Sequence, residues 1–353
     1  MMPAGLPGRL ALLGSGETAP AGGRVFEALA QGLPQPLRVA ILETPAGFEL
    51  NSARVAGRVA DYIRVRLGNY SPQVAVLPAR RRGTPFSPDD DEITRPLLHA
   101  GMIFAGPGSP TYAARQLRDS LAWNRIRARH ALGAALVFAS AATITAGRFS
   151  LPVYEIYKAG HDIHWVEGLD LLGPFGLSIV FIPHWNNNDG GAELDTSHCF
   201  MGRDRFDALA AMLPLDATII GLDEHTSLVF DLARAEAHVL GPGRVTIVSA
   251  GVERPYADGS TFGLDQLGPF HAADLLTLLP AAVVEEARSA AAAVAAIVPA
   301  PDEVLALVAA REVARKAQDW TAADALRGRI EALGWQVQDT PSGPNVMPGG
   351  VVR

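Results

Sequence analysis

At 353 residues the chain exceeds one average domain, and its 48% hydrophobic content suits a globular protein with a sizeable core. A net charge of -7 at pH 7, with no long basic run, gives no support for nucleic-acid or membrane binding. Cys199 is the only cysteine, which excludes an internal disulfide and a cysteine-built metal cluster, so neither a metal nor a cofactor is expected.

The first apolar run, Leu10–Leu13, is too short for a secretory signal and reads as a buried strand. No run approaches the ~18–20 apolar residues that span a bilayer, and a cytoplasmic location is expected. Further strand-length runs follow at Arg38–Leu42, Gln73–Leu77, Met102–Ala105, Ala135–Ala139, 178–182 and 217–222. Several are apolar at successive positions, as parallel strands covered on both faces are. Amphipathic stretches, among them 53–67 and 110–129, lie between them. This alternation predicts an α/β domain over residues 1–275, a doubly wound, mostly parallel sheet flanked by helices.

Residues 276–300 read as a helical linker, alanine-rich over 290–296 and closed by Pro299 and Pro301. Residues 301–353 form a small appendage, a helical hairpin. Its signals are helical spacing over 302–317, a capping box at Thr321 and Asp324, and an apolar face of Leu326, Ile330 and Leu333. Gly334 is a natural helix stop, and 335–337 is strand-like.

Ligands of open α/β sheets sit outside the carboxyl ends of the strands, and four such ends carry chemistry-bearing residues. At 136–144 an apolar strand stops among small residues before a helical pattern resumes, the geometry of a nucleophile elbow presenting Ser140. A plain helix N-cap is the alternative reading of Ser140. Gly106-Pro107-Gly108-Ser109-Pro110 is a turn whose N–H groups suit an oxyanion; Pro107 has none, leaving Gly106 or Gly108. His184 stands just past a strand, where a general base would reach the sheet edge, whereas His130, His161, His164 and His198 lack that context. Glu224, beside Asp223 and His225 at another strand end, is placed to orient His184 through Nδ1–H; a surface ion pair is the alternative.

Gly14-Ser15-Gly16-Glu17-Thr18 follows a strand but lacks the third glycine of a dinucleotide fingerprint, a clear helix start and a ribose-binding acid. Glu17, Thr18 and Asn51 are expected to line the same cleft as Ser140. The Arg80-Arg81-Arg82 run, next to acidic residues 89–92, reads as a solvated loop.

Through the Ser140 elbow, Pro183-His184 and Gly221-Leu222-Asp223-Glu224-His225-Thr226, residues 8–275 resemble the serine-peptidase family of dipeptidase E and cyanophycinase, within the class I glutamine amidotransferase-like fold. The resemblance implies Ser140 as nucleophile, His184 as base and Glu224 as orienting acid, with the N–H groups of Gly106 and Ala141 binding the oxyanion. It implies cleavage of an amide bond in a small peptide, Asp-containing in that family, although the determinants of Asp selection match no residue here. The family elbow reads Gly-x-Ser-Ala-Gly, whereas Phe138 and Ala142 replace both glycines. Phe138 either packs under the elbow or crowds it; a crowded elbow would leave a catalytically silent ligand-binding module.

The segment from Ala314-Arg315-Lys316-Ala317-Gln318-Asp319-Trp320 to Ser342-Gly343 resembles the C-terminal end of cysteinyl-tRNA synthetases. Neither His-Ile-Gly-His nor Lys-Met-Ser-Lys-Ser occurs, so aminoacylation is not implied. Phosphate binding wants a basic excess, and the charges here balance. Structural docking or contact between copies of the chain is favoured over tRNA or other RNA binding.

Overall fold

The computed structural model describes residues 6–295, 300–340 and 343–348, and the chain divides into two units, Met1–Arg288 and Ser289–Arg353. Residues 296–299 of the expected linker, and Pro341 and Ser342 of the tail, lie outside the described residues.

In the first unit the strands are β1 (Leu10–Leu13), β2 (Arg38–Leu42), β3 (Gln73–Leu77), β4 (Met102–Ala105) and β5 (Ala135–Ala139). Then come two short pieces, β6 (Phe149–Ser150) and β7 (Val166–Glu167), followed by β8 (Ile179–Ile182) and β9 (Thr218–Leu222). The last are β10 (Ser227–Asp231), β11 (Glu236–Leu240), β12 (Arg244–Ser249), β13 (Val252–Ala257) and β14 (Thr261–Gly263). An eight-stranded sheet runs β14-β11-β10-β1-β5-β4-β2-β3, parallel from β1 through β3 and antiparallel beyond it.

The expected single sheet is in fact two. β8 and β9 pair in parallel with each other, and β12 and β13 extend them into a separate four-stranded sheet. Burial explains the division. On β1, Leu10 and Leu12 enter one core with Phe138, Phe181, Ile220 and Phe230, while Ala11 and Leu13 enter another with Val25, Phe26 and Ile63. One face of the large sheet therefore packs on helices Pro20–Ala30 and Ser52–Arg66. The other packs on helix Leu121–Ala131 and on the small sheet, where Phe181 meets Phe230 edge-on with ring centroids 6.3 Å apart. The outer face of the small sheet, Val180, Ile182 and Ile219, is covered by Phe206 and Leu209 of helix Gly202–Ala210. Where both faces are covered, as along β1, β4, β5, β8 and β9, consecutive positions are buried.

The stretch over 110–129 is two helices, Pro110–Leu117 and Leu121–Ala131. Asp119 takes a positive φ of 56° between them, and the Ser120 side chain caps the second by accepting from the Trp123 N–H. A helix does begin after Gly14-Ser15-Gly16, at Pro20, with proline at its start in place of a side-chain cap.

In the second unit, helices Asp302–Lys316 and Trp320–Ala332 precede a hairpin of β15 (Trp335–Thr340) and β16 (Gly343–Pro348), whose second strand the sequence pattern did not signal. The cap of the second helix is Asp319, whose carboxylate accepts from the Ala322 N–H at 3.0 Å; Thr321 already lies inside the helix. Gly334 takes the left-handed stop at φ 79°. Val304, Leu307, Ile330, Trp335 and Val337 form the core of this unit. Arg311 is buried and paired to both carboxylate oxygens of Asp339, which holds that carboxyl down at about 2.

His130, in the last turn of helix Leu121–Ala131, is wholly buried: Nδ1 is 3.3 Å from Ala134 O, and Nε2 has no partner among the described residues. Burial pushes its imidazole down to about 4. The unfolded chain takes up this proton near pH 6.5 and the folded chain only near 4, so this group's stabilisation is complete above 6.5 and is lost as pH falls towards 4. Urea unfolding at pH 5 should find the protein about 1.5 kcal/mol less stable than at pH 6.5 from this group alone. In His130→Gln that increment should vanish; an unchanged pH dependence would refute the assignment.

Candidate active site

The Ser140 elbow is built from backbone. Ser140 has φ 52° and ψ -113°, a region strained for any residue with a Cβ, between the end of β5 and helix Ala141–Thr145. Its N–H donates to Leu13 O at 3.2 Å, and the buried Thr143 hydroxyl reaches Leu13 O and Phe138 O, both at 2.9 Å, so β1 and β5 grip the turn together. Phe138 packs underneath, 3% exposed, with its ring 6.5 Å from that of Trp123. It does not crowd the hydroxyl.

Ser140 Oγ lies 3.0 Å from His184 Nε2, and His184 Nδ1 lies 3.2 Å from Glu224 Oε1. A carboxylate only accepts, so Nδ1 carries the ring proton and donates it to Glu224, leaving Nε2 to accept from Ser140. The three side chains come from the carboxyl ends of β5, β8 and β9. Ser140 therefore stands on the eight-stranded sheet and the other two on the four-stranded one, and the site lies where the sheets meet.

The asparagines that follow His184 carry no motif of their own in the sequence. Asn187, buried, donates its Nδ2–H to Glu224 Oε1 at 3.1 Å, and its Oδ1 accepts from the Asp189 N–H at 3.2 Å. Asn186 Oδ1 accepts the Glu224 N–H at 2.8 Å. Together they hold the backbone and one carboxylate oxygen of Glu224. The only signal for them was their position, next to the base at a strand end. Gly14 of the weak glycine motif serves the same turn: its N–H donates to Thr226 O at 2.8 Å, and a Cβ there would stand 2.1 Å from Asp223 O.

A cavity of about 400 Å³ opens over Ser140 and His184, with Ala141, Tyr154, Tyr157, Lys158 and Phe200 on its walls. Of the expected oxyanion donors, Ala141 lines it, and its N–H opens a helix and so has no partner within that helix. Gly106 is buried, its carbonyl accepting the Ala142 N–H at 3.3 Å, and Gly108 is the turn glycine on the cavity wall. Gly108 has φ 146°, and a Cβ would lie 2.0 Å from Pro45 O, so no larger residue fits. Glu17, Thr18 and Asn51 are not among the lining residues. Cys199 is, but burial pushes its thiol up to about 12, with Glu224's charge adding to the effect, and it stays protonated.

A larger cavity, about 830 Å³, lies at the opposite edge of the sheet, where β2 and β3 begin, bounded by Arg38, Gln73 and His99. Its lining residues include no contact like that of Ser140 with His184.

Over 74% of its length the chain superposes on 98% of a peptidase from an acI-B1 Actinobacterium, with a TM-score of 0.60 and 22% identity. The two share a fold. The model described as cysteinyl-tRNA ligase anticodon binding domain matches residues 299–343. Across 46 residues, 13% of the chain, it is 50% identical to a cysteine–tRNA ligase of Chlamydia felis and 52% identical to one of Methanosarcina mazei. It spans about 10% of the length of these curated relatives. Among the described residues no helix is long and apolar enough to cross a membrane.

Strain at residue 140 has a measurable consequence. Ser140→Gly and Ser140→Ala both lose the hydroxyl and differ only by a Cβ at φ 52°. Thermal melting should find Ser140→Gly the more stable by about 1 kcal/mol. The opposite order would mean the elbow is relaxed.

Proposed function

We propose that the first unit is a serine hydrolase that cleaves an amide bond in small peptides. The contact chain Ser140–His184–Glu224, at 3.0 and 3.2 Å over an open cavity, carries this reading. The shared fold with a peptidase supports it.

Ser140 Oγ attacks the scissile carbonyl as His184 Nε2 takes its proton, and the C–O bond forms as the carbonyl π pair moves to oxygen. Glu224 stabilises the imidazolium through Nδ1–H. The oxyanion is bound by the Ala141 N–H and an N–H of the Gly106–Gly108 turn. On collapse, His184 returns the proton to the leaving nitrogen, and water then releases the acyl group by the same steps reversed. Phe138 lies under the elbow, so its presence does not favour a silent binding module.

A fluorophosphonate probe should label the native chain at Ser140, and both Ser140→Ala and His184→Ala should abolish labelling. Glu224→Gln, which keeps the shape but not the charge, should slow it by at least a hundredfold. Well-folded protein that resists the probe would defeat the proposal.

The match of residues 299–343 supports a second reading, in which the tail contacts tRNA. Its electrostatics weigh against this, because Arg311 and Arg315 are both spent on Asp339. A gel shift with bulk tRNA should therefore show no complex at 150 mM salt; a salt-dependent shift would favour RNA contact.

A further inference from the structure

The arginine run at 80–82 is not one solvated cluster. Arg80 Nε lies 2.7 Å from Glu43 Oε2, and Arg82 Nε lies 2.8 Å from Asp89 Oδ2. Arg81, between them, has no ion pair among the described residues and lines a second cavity of about 550 Å³. Arg115 stands on the same cavity, 5.4 Å from the Tyr112 ring centroid and likewise without a carboxylate partner among the described residues. Phe48 packs on Tyr112 with ring centroids 5.1 Å apart, giving the cavity an aromatic shelf.

The cavity thus offers two guanidinium groups without a carboxylate partner among the described residues, and an apolar shelf. The catalytic cavity is its neighbour. Gly108 and Pro110 line the catalytic one, Ser109 and Thr111 the second, and Tyr154 both.

We infer that this second cavity binds the carboxyl-terminal residue of a short peptide lying across Ser140. The terminal carboxylate meets Arg81 and Arg115, and the residue's side chain rests on Phe48 and Tyr112. This assignment to the leaving side of the scissile bond rests on the hydrolase reading. A lone anion would meet the arginines and leave the aromatic shelf uncovered, whereas a carboxyl-terminal residue supplies charge and an apolar side chain together. The site then selects short peptides with a free terminus over internal or amidated sequences.

The test uses the full chain and a pool of Ala-Xaa-Phe tripeptides, once as free acids and once as carboxamides, with release of phenylalanine or its amide followed by mass spectrometry. The acids should be cleaved on the order of tenfold faster, the scale of a lost charge-assisted hydrogen bond. In Arg81→Gln/Arg115→Gln that ratio should fall close to one. Equal rates for the wild type, or a ratio untouched by the double substitution, would overturn the inference. Equilibrium binding of both pools to Ser140→Ala reads the same preference without turnover. Acid preference in binding, with wild-type Ser140 resistant to fluorophosphonate, would remove the hydrolase reading and leave a carboxylate subsite. Labelled Ser140 with no acid preference would do the reverse.

Discussion

The turn from Asp223 to Thr226 passes from the small sheet to the large one, between β9 and β10, and Glu224 rides on it. Its closure depends on Gly14 at the end of β1, where a Cβ would stand 2.1 Å from the Asp223 carbonyl oxygen. The Gly14 N–H reaches Thr226 O, and Ser15 Oγ accepts the His225 N–H at 3.0 Å. Backbone contacts thus tie the β9–β10 turn to β1. Because β1 also lies beside β5, Glu224 and Ser140 are placed by opposite sides of the same strand. Any bulk at position 14 would separate them without touching either.

Strain is concentrated at this junction. Ser140, His184 and His225 all hold positive φ, as do three successive residues, His198, Cys199 and Phe200. Such conformations cost on the order of 1–3 kcal/mol each and persist only where surrounding structure over-determines them. Here the over-determination is visible. The N–H groups of His198 and Cys199 donate to Trp185 O and His184 O at 2.9 and 3.1 Å, and the Trp185 N–H donates to Leu222 O at 3.0 Å. His184 is therefore held by a hydrogen-bonded loop, with Trp185 packed against His198 and Phe206 beside it.

The arginines show how the same residue type serves different ends. Arg125 and Arg311 are buried and paired with carboxylates, which makes them structural. Arg80 is paired with the buried Glu43 and Arg82 with Asp89 at the surface, and the two pairs flank Arg81. Charge counted along the chain could not separate these roles. The difference lies in which carboxylates the fold brings within reach, and Glu43 and Asp89 are 37 and 7 residues away.

Much was legible without coordinates. Strand-length apolar runs, small residues around Ser140 and helix-stopping glycines are local signals, because burial on both faces and positive φ impose their demands on neighbouring residues. For that reason β1 to β5, the elbow and the tail helices fall where the pattern put them. What tertiary structure alone decided is long-range. That β8 and β9 leave the large sheet, that Asn186 and Asn187 hold Glu224, that Phe138 sinks into the core, and that Arg81 is left unpaired all depend on contacts between segments tens of residues apart. Periodicity reports which face of an element is covered but carries no information on what covers it, and the site is made of those coverings.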